Sequence, residues 1–527
     1  MKHINKLVLV ALAATMFNCS EDFEHPVEDI KITSGDADFS KYIALGNSLT
    51  SGYRDNALYK SGQENSYPNI LAGQMKAAGG GEFKIPYMPN DVGGFNNADF
   101  GGLFPGKLEL KIVNGALTPV PSAPGAALDN VATAGPYQNM GVPGAKSYHL
   151  IAPGYGNPAG LKTIPATANP YFVRFSNNPA TSVVAQAVAQ APTFYSLWIG
   201  NNDVLGYATS GGVGVDHNET GSLDAAKYES GDISNVNVVK TSIATIVGAM
   251  KQGGAKGGVI ANIPSVTAIP YFTTVPYAPL SPTNASFGPM IDQLNSTFAG
   301  LNKVFDALGA PERKIVFSKT AASAVVIKDK DLPDLSTAIT TALIKGGQDA
   351  KTAGLFGLIY GQARQATSKD LLVLTSSSVI GKVDTDRVKE LMSMGVSQAD
   401  AGQLAISGIT YPLVDKYVLT AKETAKAEAA VTKFNAAIAE VANANGLALV
   451  DAYSEMKKLS SASGIKYYGQ TYTTTFVSGG AFSLDGVHLT GNGYAIVANM
   501  FIDAINRKYH STLRNVYPGG YPGIAIP

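Results

Sequence analysis

Four short segments carry residue types that could do chemistry together. Ser48 lies in Gly46-Asn47-Ser48-Leu49, Gly144 in Val142-Pro143-Gly144-Ala145, Asn202 in Gly200-Asn201-Asn202-Asp203, and Asp485 and His488 in Asp485-Gly486-Val487-His488. A serine hydroxyl becomes a nucleophile only when a base takes its proton. A carboxylate three residues before a histidine can fold back on the Nδ1–H and fix the tautomer that leaves Nε2 free for that task. An asparagine amide can donate to an oxyanion without competing for the proton, and a glycine lets its backbone N–H come close to a substrate. Nucleophile, base and oxyanion donors are the parts an acyl-transfer enzyme needs. Each segment alone has a plainer meaning: Ser48 a helix N-cap, Asp485 and His488 an acid and an exposed imidazole at a helix start, Asn202 an Asx turn, Gly144 an ordinary turn. Only the combination points to catalysis.

The surrounding residues read as the elements that would hold these groups. Lys41 to Gly46 is a short apolar strand with Ser48 at its turn, and Tyr67 to Met75 is the helix beyond. Residues 79–135 are rich in Gly, Pro and Asn and read as an insertion, with a hairpin around Leu108 to Val113. Val183 to Ala191 reads as a helix, and the unbroken apolar run Thr193 to Ile199 as a buried parallel strand leading to Asn202. A polar insertion at 206–236 precedes a helix over Val238 to Met250 and a strand over Gly258 to Asn262. Ile291 to Leu308 then reads as a helix, Lys314 to Phe317 as a strand, and 325–420 as a mostly helical insertion. Ala421 to Ala444 is a long helix with Val431, Phe434, Ile438 and Val441 on one face; Gly446 ends it and strand Leu447 to Val450 follows. The last helix runs from about Gly493 to Tyr509, with Thr490 as its N-cap. Alternating strands and helices predict an α/β fold, a three-layer α/β/α domain with a parallel central sheet and large loop and helical insertions, over residues 39–510, with a tail at 511–527. Ser48 and Asn202 would then sit at the carboxyl edge of the sheet, where open α/β folds bind ligands.

Bulk properties remove several function classes. Lys+Arg 40 balances Asp+Glu 40 over 527 residues, with no basic stripe, which disfavours a nucleic-acid partner. The six histidines are scattered, no HExxH or CxxC occurs, and the single cysteine, Cys19, forbids an intrachain disulfide. No metal and no cofactor is therefore expected. Gly101 to Leu108 nearly spells a phosphate-binding loop, but Leu108 stands where the magnesium-binding hydroxyl belongs. His149 reads as a surface imidazole and Trp198 as a core residue of its strand.

The amino terminus reads as a targeting signal. A basic start (Lys2, His3, Lys6) precedes an apolar run from Leu7 to Phe17, too short to span a bilayer, which ends at Cys19 before an acidic stretch. This layout resembles a bacterial lipoprotein signal over residues 1–18. It implies lipidation of Cys19, a polar tether over 19–38 and a membrane partner through the lipid anchor at the outer membrane or cell surface of a Gram-negative bacterium. A secretory peptide with an incidental cysteine is the other reading.

The four chemical segments together resemble the sequence blocks of the SGNH hydrolases, also called the GDSL esterase/lipase family. The resemblance implies a flavodoxin-like fold and assigns Ser48 as nucleophile and oxyanion donor, Gly144 and Asn202 as the other oxyanion donors, and Asp485 and His488 as the acid–base pair. One departure is Asn47, where the family usually has aspartate before the nucleophile. The expected activity is ester hydrolysis through an acyl-serine, on lipid or other acyl esters. A carbohydrate acetyl esterase is the alternative, and a ligand-binding surface lipoprotein without catalysis is the rival from another class.

Overall fold

The computed structural model describes residues 31–113 and 115–527. The expected signal segment 1–18, Cys19 and the tether up to residue 30 lie outside the described residues. Five strands, β1 (Tyr42–Gly46), β2 (Asn139–Gly141), β3 (Phe194–Trp198), β4 (Gly257–Ala261) and β5 (Ala448–Val450), form one sheet in the order β2-β1-β3-β4-β5. Every pairing in it is parallel. β1, β3 and β4 are buried along their whole length, which is why their sequences are unbroken apolar runs rather than alternating ones.

Helices cover both faces. On one side α1 (Tyr67–Ala77) packs against the last long helix, Gly491–Tyr509. On the other, α2 (Asn202–Thr209) and α3 (Val236–Gln252) pack against the 24-residue helix Ala421–Ala444. The architecture is thus a three-layer α/β/α sandwich. The chain order along the sheet reverses between β1 and β3, the topological switch point at which such sheets leave a crevice at their carboxyl edge.

A second hydrophobic core lies outside this sandwich. Helix α4 (Ile291–Ala307) buries Leu294, Phe298, Leu301 and Phe305 against Ile339, Tyr360, Leu391 and Ile409 of the helical insertion. That core draws on residues from Val275 to Val418, so the helical unit begins well before residue 325.

The strand expected at Lys314–Phe317 does not form. Ile315 and Phe317 are buried and the segment is extended, but its backbone bonds to asparagines of α4 instead of to a neighbouring strand. Asn302 Oδ1 accepts from the Ile315 N–H at 2.9 Å and its amide donates back to the Ile315 carbonyl at 2.8 Å. Asn295 makes the same pair with Phe317, at 2.9 Å in both directions. A short apolar run met its hydrogen-bonding needs from a helix, so no ladder was required.

Residues 511–527 are tied down: Leu513 and Val516 enter the main core, and Asn499 bonds the Val516 backbone in both directions. The hairpin expected at Leu108 to Val113 is present and pairs with Ala116–Pro121.

Candidate active site

Three sheet strands deliver Ser48, Gly144 and Asn202 to one edge. β1 ends at Gly46, and Ser48 opens a single helical turn, Ser48–Ser51, that follows at once. Asn47, not Ser48, is the N-cap: its Oδ1 accepts from the Leu49 N–H at 3.1 Å, and its amide donates to Asn201 Oδ1 at 3.2 Å. Asn47 thereby joins the turn after β1 to the turn after β3. The glycines are steric necessities. A Cβ on Gly46 would lie 2.1 Å from Thr50 Oγ1, and one on Gly141 would lie 2.4 Å from the Ser51 nitrogen.

Asn202 is the first residue of α2, and its amide donates to the Ala145 carbonyl at 2.9 Å. One of its two amide hydrogens is committed to the Gly144 loop and the other remains for a ligand. That loop is held a second time by Asp203. Its carboxylate accepts from the Ser147 N–H at 2.8 Å and from the Ser147 hydroxyl at 2.9 Å. Burial raises the Asp203 pKa, against these bonds and the nearby Lys146 charge. Gly144 has φ +80°, with no atom closer than 3.9 Å to a Cβ placed on it, so its backbone faces open space. Among the described residues, neither the Ser48 nor the Gly144 N–H donates to a protein acceptor.

Asp485 and His488 lie on a loop that precedes α5 (Gly491–Tyr509), where Thr490 Oγ1 caps by accepting from the Gly493 N–H at 3.1 Å. Asp485 Oδ1 accepts from the Val487 and His488 N–H groups, each at 2.8 Å, which wraps the loop around the carboxylate. Asp485 Oδ2 pairs with His488 Nδ1 at 2.8 Å, and His488 Nε2 lies 2.9 Å from Ser48 Oγ. Residues hundreds of positions apart thus meet in one hydrogen-bonded row. Burial by itself would raise the Asp485 pKa, but the His488 charge and the donors around it outweigh burial and hold the carboxyl well below the usual carboxylate range. Gly486 has φ +70°, and a Cβ there would lie 2.9 Å from the Tyr271 nitrogen, whose N–H donates to the Gly486 carbonyl at 2.9 Å.

Several neighbours were given no role in the site by the sequence. The Tyr53 ring lies against His488, centroids 4.7 Å apart, and meets the edge of Tyr171 at 6.3 Å. Phe95, Phe100 and Phe104, from the 79–135 insertion, extend this wall outward from Tyr171. Ser483 donates to Asp485 Oδ1 at 3.2 Å. His149, expected as a surface imidazole, is half-buried. It stacks on Tyr155 at 4.8 Å, and its Nδ1 accepts from the Lys146 N–H at 3.0 Å. Burial first, and then the Lys146 charge, push its pKa down to about 4. Trp198 is in the core, its Nε1–H donating to the Asn262 carbonyl. Among the described residues no group of three or more His, Cys, Asp or Glu side chains could hold a metal ion, and no helix is long and apolar enough to cross a membrane.

No family model matches the sequence, and no curated protein matches it. Among solved structures, a catalytic mutant of Axe2, an acetylxylan esterase from Geobacillus stearothermophilus, is similar at 12% identity, over 53% of this chain and 76% of that one, with a TM-score of 0.18. A second Axe2 mutant, described as an acetyl-xylooligosaccharide esterase from Geobacillus, is similar at 12% identity over 56% of this chain and 90% of that one, also with a TM-score of 0.18.

Proposed function

We propose that this chain is a serine ester hydrolase of the SGNH type. The observation that carries the reading is the row Asp485–His488–Ser48, closed by contacts of 2.8 and 2.9 Å at the switch point of the sheet. In this reading His488 Nε2 takes the Ser48 proton as Oγ attacks the ester carbonyl carbon. Asp485 keeps the imidazole oriented and offsets the charge it gains. The oxyanion faces the Ser48 and Gly144 N–H groups and the second hydrogen of the Asn202 amide. The imidazolium then protonates the departing alkoxide, leaving an acyl-serine that water hydrolyses by the same relay. No cofactor enters these steps.

An acyl-ester substrate is part of this proposal; a small apolar crevice of about 80 Å³ lies beside the row. Leu49 and Val487, the neighbours of Ser48 and His488, line it together with Ile269, Phe482, Val497 and Met500. Purified protein should hydrolyse an activated short-chain ester, and Ser48→Ala should abolish this with an unchanged melting temperature. Full activity in that variant would defeat the nucleophile assignment, and an inactive parent would favour a binding protein on the same scaffold. Faster release of acetate from acetylated polysaccharide than of longer acyl groups from lipid esters would move the substrate to carbohydrate.

We place the enzyme at the cell envelope, held by lipid on Cys19. Incorporation of labelled palmitate, lost in Cys19→Ala, is the expected result; no label in the parent would leave a freely secreted form.

A further inference from the structure

The segment after the nucleophile turn does something that no motif announces. Arg54 and Ala57 close a two-residue turn on each other, with backbone bonds of 3.1 and 3.0 Å. The two residues at its tip, Asp55 and Asn56, both have left-handed backbones, φ 52° and 61°. A side chain makes that conformation costly, although Asp and Asn bear it best, and a glycine would adopt it freely. Such a pair persists only where its surroundings hold it.

What holds it is the loop that carries the acid. The Asp55 N–H donates to Ser483 Oγ at 2.9 Å. Asp55 Oδ1 accepts from the Leu484 N–H at 3.0 Å. The Asn56 N–H donates to Asp485 Oδ2 at 2.9 Å. Three consecutive residues of the acid loop are each gripped by this one turn, and the last grip falls on the oxygen that faces His488. The Asp55 carboxylate is itself anchored, with Oδ2 accepting from Arg54 Nε at 2.9 Å and from the Tyr59 hydroxyl at 2.6 Å. Arg54 in turn donates to the carbonyls of Pro522, at 3.4 Å, and Gly523, at 3.1 Å, so the carboxy-terminal segment straps the anchor down.

We infer that Asp55 is a positioning residue: through its own turn and Ser483 it sets the orientation of the Asp485 carboxylate toward the imidazole. Asp485 Oδ2 has two protein donors, His488 Nδ1 and the Asn56 N–H, and the second fixes the direction in which the first must lie. Asp55 touches neither Ser48 nor His488, so it acts only through the acid loop. This role rests on the ester-hydrolase reading.

A double-mutant cycle on the full chain tests it, with a fluorogenic short-chain ester as substrate. Asp55→Asn keeps the size of the side chain and an acceptor for Leu484 but loses the charge that anchors Arg54. It should lower kcat by about tenfold or more while KM stays within about twofold. In an Asp485→Asn background the same change should cost less than about twofold, because the group it positions is already gone. An equal loss in both backgrounds, or an unchanged kcat in the parent, overturns the inference. Should Asp55→Asn fail to fold, Ser483→Ala carries the same cycle with the same expected pattern. Ser48→Ala in the same assay separates the two claims. If that variant stays active, the hydrolase reading falls. If it is inactive and the cycle is additive, only the role of Asp55 falls.

Discussion

Asn202 can be asked a sharp question, because its amide is divided between two tasks. One hydrogen holds the Ala145 carbonyl, and the other is available for developing charge. Asn202→Ala should therefore lower kcat by about a hundred- to a thousandfold with a small change in KM. A rise in KM at unchanged kcat would mean that the amide binds ground state and transition state alike, which is not how an oxyanion donor behaves. Ser48, Asp485, His488, Gly144 and Asn202 could be picked out in the sequence as candidates because each belongs to a short segment with fixed spacing. Asp55 and Ser483 were not. Their bonds join residues more than 400 positions apart, and neither type is unusual where it stands.

At the scale of elements, the loop after β2 shows how burial converts into a pH response. His149 packs neutral beside Lys146, with its pKa lowered from 6.5 to about 4. In the unfolded chain the imidazole takes a proton near 6.5, so the unfolded state binds more protons below that point. Its share of stability is complete above about 6.5 and shrinks as pH falls toward 4. Asp485 behaves differently. Its pKa is depressed below 3.8, so its share persists until the medium becomes more acidic than that. Urea midpoints measured through the upper window should fall with pH in the parent and fall less in His149→Asn. Equal slopes would show that His149 is not the group responsible. The strand expected at Lys314–Phe317 failed at this same scale. A short apolar run specifies a buried extended segment, but it does not say whether a strand or two asparagines will satisfy the backbone.

For the whole molecule, the two hydrophobic cores imply two units of stability. Phe298 is fully buried in the second core, among residues of α4 and the helical insertion, while every residue of the Asp485–His488–Ser48 row is carried by the sheet sandwich. Phe298→Ala should cost about 3–5 kcal/mol within the helical unit. Calorimetry should then show a transition moved to lower temperature, with turnover of a short soluble ester close to the parent value. Loss of that activity in a folded variant would mean that the helical unit supports the site directly.

Local facts follow from short stretches of chain. Unbroken apolar runs made β1 and β3 buried parallel strands, periodic apolar faces made the long helices, and short spacings brought Asp485 onto His488, since three residues of chain suffice for that contact. What depends on closing long loops emerges only from the packed fold. It set the 2-1-3-4-5 strand order that brings β1 and β3 side by side, the meeting of His488 with Ser48, the grip of the Asp55 turn on the acid loop and the split of the apolar residues into two cores. A local pattern fixes which way a side chain faces along its own element. Which distant element it then meets is set by the packing of the whole chain, and no window of sequence contains that information.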